Sequence, residues 1–288
     1  MREKSLFIIN PKSGTRTKAG IKQSIRDIFG NLADIVYTRY VGHATELTGQ
    51  GVAKGYKQIV AVGGDGTVNE IANALVDTGV PLSIIPMGSG NGLARHLGLP
   101  MKRETALSVS KVGKVVKVDC GMVDNRNFFC TMGLGFDALV SREFANTKRR
   151  GLLSYSRIAI ENFIHYEPQT YRLTVDDRLI EFKAFIVAVC NAAQYGNNAF
   201  IAPHASMSDG LLDVTIVHPG NFGSLATAGV RLFTHSLDRS HIVHCLRGSH
   251  IIIERESDGP GHIDGEAVTL PATLDIKCRP SVLKVVVP

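Results

Sequence analysis

Residues 58–62, Gln-Ile-Val-Ala-Val, run without a break into Gly63-Gly64-Asp65-Gly66-Thr67, and a helix-length apolar segment follows from Val68. A glycine-rich turn between a buried strand and a helix leaves few choices for the local fold. Without Cβ atoms the backbone reaches positive φ and approaches a ligand closely. The first N–H groups of the following helix point out of the turn, and the helix dipole favours an anion there. Asp65 is out of place in a site for phosphate alone. It fits if it meets Mg²⁺, directly or through water, or takes part in proton transfer. A tight turn with Asp65 as a helix cap is the plainer alternative.

The chain around this turn alternates. Apolar runs rich in β-branched residues lie at 6–9, 35–37, 58–62 and 82–85, with helix-length stretches at about 16–29, 43–54, 68–78 and 91–97 between them. That alternation predicts a Rossmann-like α/β domain, a parallel sheet with helices on both faces. From about residue 115 strand-like runs dominate, at 115–118, 128–131, 171–175, 184–190, 211–217, 251–254, 273–278 and 282–287. Helices are expected there only at about 152–166 and 222–237. This half reads as β-rich and sandwich-like. The expected domains are 1–122 for nucleotide and 123–288 for substrate, with the last strand free to return to the first domain.

Two more turns have the character of the first. Asn10-Pro11-Lys12-Ser13-Gly14 leaves the first strand with a cation, a hydroxyl and a glycine, and on its own is also a plain Asn-Pro turn. Gly88-Ser89-Gly90-Asn91-Gly92 follows the fourth strand, with Ser89 and Asn91 suited to bond phosphate or cap a helix. In a parallel sheet all three leave the carboxyl ends of their strands, the edge where open α/β sheets bind ligands. The chain has no G-x-x-x-x-G-K-[ST] match, and its first strand does not lead into a dinucleotide fingerprint.

Composition removes several classes. Hydrophobic residues are 44% and charged residues 20%, which excludes extended disorder. No apolar run reaches the ~18 residues of a membrane-spanning helix, and the N-terminal apolar stretch is short for a secretory signal. A cytoplasmic location is expected. The five cysteines are scattered with no Cys-x-x-Cys pair, so a disulfide framework or a cysteine zinc site is not indicated. His241, His244 and Cys245 lack a fourth ligand for zinc. The net charge of +6 is spread along the chain, with one dense cluster at Lys148-Arg149-Arg150, and no nucleic-acid motif accompanies it.

Taken together, Asn10-Pro-Lys-Ser-Gly14, Gly63-Gly-Asp-Gly-Thr-Val-Asn-Glu70 and Pro86-Met-Gly-Ser-Gly-Asn91 resemble the diacylglycerol kinase catalytic domain. Sphingosine and ceramide kinases and, more distantly, NAD kinases are its relatives. The resemblance continues through Ser208-Asp-Gly-Leu-Leu-Asp-Val214 and Ile263-Asp-Gly-Glu266. It implies that Gly63, Gly64, Asp65, Gly66, Thr67 and Ser89 meet the phosphates of ATP, beside Asn10, Lys12 and Asn91, and that Thr38 contacts the nucleotide. Glu266 corresponds to the proton acceptor and Asp119 to an acid near the active site. Asp209, with carbonyls of Ser206 and Leu211, corresponds to a structural Mg²⁺ site. One departure stands out: bacterial relatives carry an acid where this chain has Gly92, which keeps sphingoid and other lipid alcohols open as acceptors.

The resemblance implies transfer of the γ-phosphoryl of ATP to a lipid hydroxyl, with Glu266 supplied by the second domain and the reaction set between the two. NAD as acceptor, or nucleotide and lipid binding without catalysis, are the competing readings. The partners admitted are a lipid substrate, a homodimer and peripheral contact with the inner face of a membrane. For that contact, Lys148-Arg149-Arg150 and the following amphipathic stretch would lie on an anionic bilayer. The plainer alternative is a helix packed on the sheet.

Overall fold

A computed structural model describes residues 2–14, 20–145, 147, 157–158, 161–163 and 165–288. The basic cluster 148–150 and most of the stretch 152–166 lie outside the described residues. The chain divides into two compact units, Met1–Val118 with Ser281–Pro288, and Asp119–Pro280.

The first unit runs β1 (Arg2–Ile9), α1 (Ile21–Phe29), β2 (Ala33–Tyr37), α2 (His43–Ala53), β3 (Tyr56–Gly63), α3 (Asp65–Leu75), β4 (Leu82–Pro86), α4 (Gly92–His96) and α5 (Arg103–Val112). Its strands are parallel in the order β2-β1-β3-β4. Residues 6–9 and 59–63 are buried without alternation, the mark of a sheet covered on both faces. Phe7, Ile9, Val60 and Val62 pack with Ile21, Ile25 and Phe29 of α1 and Ala106 and Leu107 of α5. On the opposite face α2 comes down at Gly51 onto Leu6 and Ile59. Each such side chain contributes about 1.5–3 kcal/mol by leaving water.

Two elements differ from expectation. Helix α3 begins at Asp65, inside the glycine-rich turn, with Gly64 as its extended N-cap residue. The strand at 58–62 therefore passes to helix in a single residue after Gly63. Helix α5 was not foreseen, because its buried face is only Ala106, Leu107 and Ser110, too little apolar periodicity to register.

The second unit holds the later part of β5 (Lys114–Val123), then β6 (Arg126–Phe128), β7 (Thr131–Gly135), α6 (Phe136–Ala145), β8 (Gln169–Val175), β9 (Arg178–Ala184), β10 (Ile186–Cys190), β11 (Leu212–Val217), α7 (Phe222–Phe233), β12 (Val243–Gly248), β13 (His250–Arg255), β14 (Gly259–Ile263), β15 (Glu266–Leu270) and the first part of β16 (Thr273–Val287). One antiparallel sheet has the order β12-β11-β10-β7-β14-β15. The first part of β16 pairs with β13, β13 with β8, and β8 with β9, again antiparallel.

The period of two is visible in β10. Val187 and Val189 join a core with Leu173, Val175, Ile251, Ile253, Leu274 and Ile276 of the other strand set. Ala188 and Cys190 join a second core with Phe136, Val140 and Ala228 of α6 and α7. The unit is thus a β-sandwich with helices on one outer face. The expected run 128–131 straddles a break between β6 and β7, 273–278 with 282–287 are one strand, and α6 is a helix that was not expected in this half.

Candidate active site

Register aligns the site in the first unit. Ile9 of β1 lies opposite Tyr37 of β2 and Val62 of β3, and Gly63 lies opposite Pro86 of β4. The strands end level, so the turns after them emerge along one edge, as expected of a parallel sheet.

Side chains fasten those turns together. The Asn10 Nδ2 donates to Thr67 Oγ1 at 2.9 Å, joining the first loop to the start of α3, while Asn10 Oδ1 accepts the Lys12 N–H at 2.9 Å. The Asp65 carboxylate accepts the N–H of Asn91 at 2.8 Å on one oxygen and that of Gly92 at 2.7 Å on the other. Burial pushes the Asp65 carboxyl above its usual range, against the opposing pull of those two N–H groups. Gly92 therefore meets Asp65 through its backbone.

Asn91 itself sits in the left-handed region at φ 50, a conformation Asn tolerates better than most residues. Its Oδ1 accepts the Gly88 N–H and its Nδ2 donates to the Gly88 carbonyl, both at 2.9 Å. Arg95 Nε donates to the Gly90 carbonyl at 3.1 Å and closes the loop from its far side. Ser89 stays exposed at the loop tip between Gly88 and Gly90.

Glycine is required where these loops touch. A Cβ at Gly14, whose φ is +71, would lie 1.7 Å from the Met87 carbonyl oxygen. A Cβ on Gly88 would meet the Gly64 Cα at 2.6 Å, so the second and third loops are in backbone contact.

Beside this junction a hollow of about 190 Å³ is lined by Asn10, Lys12, Thr38, Tyr40, Thr67 and Glu70 among others. Thr38 directly follows β2, with its N–H on the Ile9 carbonyl at 2.9 Å. Glu70, part of the sequence motif but given no role there, accepts the Ala44 N–H at 3.0 Å and holds the start of α2. Tyr40 stacks on His43 with ring centroids 4.6 Å apart, and its hydroxyl donates to Glu46 at 2.8 Å. Arg39 and Tyr40 at this rim gave no sequence signal, being ordinary loop residues there.

In the second unit Glu266 is exposed at the first position of β15. It follows a two-residue hairpin turn, Asp264 at φ 48 and Gly265 at φ 80, the type I′ signature. Asp264 does more than turn the chain. Its carboxylate accepts the N–H groups of Phe129 at 2.9 Å, Cys130 at 2.7 Å and Thr131 at 3.0 Å. The hairpin reading of Asp264-Gly265-Glu266 holds, and Asp264 anchors the turn that displays Glu266.

Asp119 is buried, and its Oδ2 accepts the Gly210 N–H at 2.8 Å while its own N–H donates to the Met207 carbonyl at 2.7 Å. It braces the loop that carries Ser206, Asp209 and Leu211. Asp209 accepts the Leu211 N–H at 3.1 Å and pairs with Arg247, whose Nε also reaches Asp213 at 3.2 Å. Among the described residues no three His, Cys, Asp or Glu side chains gather as metal ligands. A cation at Ser206, Asp209 and Leu211 would have to share Asp209 with the Arg247 guanidinium. At Asp65 the fit is better, since Mg²⁺ commonly takes one carboxylate and fills its shell with water and phosphate oxygens.

Among the described residues no helix is long and apolar enough to cross a membrane. The diacylglycerol kinase catalytic domain family matches residues 4–123, and the YegS C-terminal NAD kinase beta sandwich-like domain matches residues 130–287. A diacylglycerol kinase of Mycobacterium tuberculosis is 31% identical over 262 residues, covering 85% of this chain and 81% of that protein. A YegS-like lipid kinase of Chromohalobacter salexigens is 30% identical over 233 residues, covering 78% of this chain and 74% of its own. A solved structure from Bacillus anthracis str. Sterne, described as a diacylglycerol kinase, aligns with TM-score 0.81 at 24% identity, over 99% of this chain and 95% of that one. With the sheet edge that carries three glycine-rich loops, the β-sandwich and these matches in agreement, the chain belongs to the diacylglycerol kinase family.

Proposed function

We propose that the chain transfers the γ-phosphoryl group of ATP to the hydroxyl of a lipid alcohol. The observation that carries this is the fastening of three glycine-rich loops around Asp65, at the start of a helix whose first N–H groups have no carbonyl within the helix to meet. Those amides, with Lys12, Ser89 and the hydroxyl of Thr67, are suited to hold a triphosphate. Thr38 and the hollow beside it receive the rest of the nucleotide.

Mg²⁺, when bound, would neutralise charge on the transferring group, the main requirement of this chemistry. Asp65 would hold it through lone pairs not taken by the Asn91 and Gly92 N–H groups, and Asp65 also keeps the second and third loops in register. Glu266 takes the proton from the acceptor hydroxyl, a contribution of about 10²–10⁴ in rate. We assign Asp119 as a positioning residue, acting through the loop at Met207 and Gly210. A structural Mg²⁺ at Ser206, Asp209 and Leu211 belongs to the same reading. The nucleotide and substrate domains are taken as 1–122 and 123–288.

The relatives are named for lipid kinases and do not favour NAD as acceptor. The test is a labelled-ATP assay with Mg²⁺ against diacylglycerol, sphingosine, ceramide, monoacylglycerol, phosphatidylglycerol and NAD. Transfer to at least one lipid is expected. Transfer to NAD alone, or ATP binding with no transfer, would overturn the reading.

A further inference from the structure

Glu266 stands on the β14–β15 hairpin, and β15 is the last strand of its sheet, paired among the described residues with β14 alone. An edge strand has one ladder to hold it, yet this hairpin is fastened at three places. At the turn, Asp264 accepts the N–H groups of Phe129, Cys130 and Thr131. At the open end, Arg255 donates to the carbonyls of Gly259 at 2.9 Å, Pro260 at 3.0 Å and Leu270 at 2.6 Å. Both clamps act on backbone groups. The third joins strand to helix: His262 Nε2 donates to Asp137 Oδ2, at the start of α6, at 3.1 Å.

That contact is enclosed. The His262 and Asp137 side chains are 2% and 5% exposed. The Tyr195 hydroxyl donates to the same Asp137 oxygen at 2.8 Å, and the other oxygen accepts the Ala138 N–H at 2.8 Å. His262 Nδ1 is buried with no hydrogen-bond partner among the described residues, so the imidazole spends its polar contact on Asp137. Gly133 of β7 lies opposite His262 in register, and a Cβ there would fall 2.3 Å from both His262 Nε2 and Asp137 Oδ2. The glycine leaves the room in which the two side chains meet. A buried polar pair is often no better for stability than apolar packing of the same volume, and what it adds is direction.

We propose that His262 is a positioning residue for Glu266, an inference that rests on the reading of Glu266 as proton acceptor. The Asp137–His262 pair ties β14 to α6, and the cross-strand partner of His262 is Ala267, the chain neighbour of Glu266. With turn, open end and middle all fastened, the Glu266 carboxylate is presented in one direction instead of swinging with an edge strand.

The test is a cycle of variants, followed by hydrogen exchange and by labelled ATP with diacylglycerol and the other lipids of the kinase assay. Gly133→Ala keeps every polar group and puts a methyl where the pair meets. Amides of residues 259–270 should then exchange about tenfold faster, and kcat should fall about tenfold with the KM for ATP unchanged. His262→Gln, whose amide still donates to Asp137, should keep most of the activity, and His262→Phe should lose it as Gly133→Ala does. In the Glu266→Gln background, Gly133→Ala should cost less than about twofold, because its effect runs through Glu266. A loss of equal size in both backgrounds would overturn the proposal and leave the reading of Glu266 standing. Unchanged exchange and kcat in Gly133→Ala would overturn it as well. If Glu266→Gln alone transfers phosphate as the native chain does, the reading of Glu266 falls and this inference falls with it.

Discussion

The backbone N–H of Asn91 donates to a carboxylate oxygen of Asp65 at 2.8 Å, across 26 residues of chain, and the Gly92 N–H takes the other oxygen. One acid thereby sets the distance between two glycine-rich loops. Asp65→Asn puts an amide NH₂ against one of those donors. A buried N–H left unsatisfied costs about 1–3 kcal/mol, partly offset by removing a desolvated charge. A net loss under about 2 kcal/mol is expected in urea unfolding, with phosphoryl transfer reduced at least about 10²-fold.

The same residue gives a pH signature. Burial raises the folded-state pKa of Asp65, so the folded chain binds a proton more tightly there than the unfolded chain does. Stability from this group is fully present below the unfolded carboxyl value and is lost as pH rises through the raised folded value. The stability of the native chain relative to Asp65→Asn should therefore fall as pH increases over that window. Urea midpoints taken through the acid range, with equal slopes, would check it; a gap independent of pH would contradict the raised pKa.

Gly14→Ala tests the closeness of the first and third loops. The added Cβ would collide with the Met87 carbonyl, and φ +71 is unfavourable for alanine. Because the loop is exposed on its outer side, it can move away, so a stability loss of only about 1–2 kcal/mol is expected. The KM for ATP should rise while the second unit's unfolding is unchanged.

Asp264 and Glu266 should separate by readout. Glu266 is exposed, so Glu266→Gln should leave the melting temperature within about 1 °C and lower kcat by about 10²-fold or more. Asp264→Ala removes the acceptor of three backbone N–H groups and should destabilise by about 2–4 kcal/mol. Equal loss of stability in both variants would remove Glu266 from the catalytic scheme.

The Asp209 loop can be tested with metal alone. If Mg²⁺ occupies Ser206, Asp209 and Leu211, adding it should raise the melting temperature of the native chain and not of Asp209→Asn. Arg247→Ala should increase the Mg²⁺ response by freeing Asp209. No response in any of the three would remove Mg²⁺ from this loop.

Sequence carried the edge of three glycine-rich turns because those turns are made of glycines and asparagines, whose backbone freedom is written in their identity. Gly63, Gly64 and Asn91 are legible for that reason. The rim at Arg39 and Tyr40 is not, since its residue types occur in any loop. Asp264 and Asp119 show a different limit. A carboxylate that holds distant backbone N–H groups looks in sequence like any turn or strand acid, and its partners are named only by the fold. Helix α5 was missed because two buried apolar residues leave no periodic pattern, whereas β10 was found because nearly all of it is apolar.

Strand β16 begins in the second unit and finishes in the first, where Val285 pairs with Leu82 of β4. During synthesis residues 1–118 precede the second unit, yet they lack that strand until residues 281–288 have followed it. Their sheet must wait, with the β4 edge open, while the whole second unit is made. The unit that carries the glycine-rich loops is begun before the second unit and completed only after it.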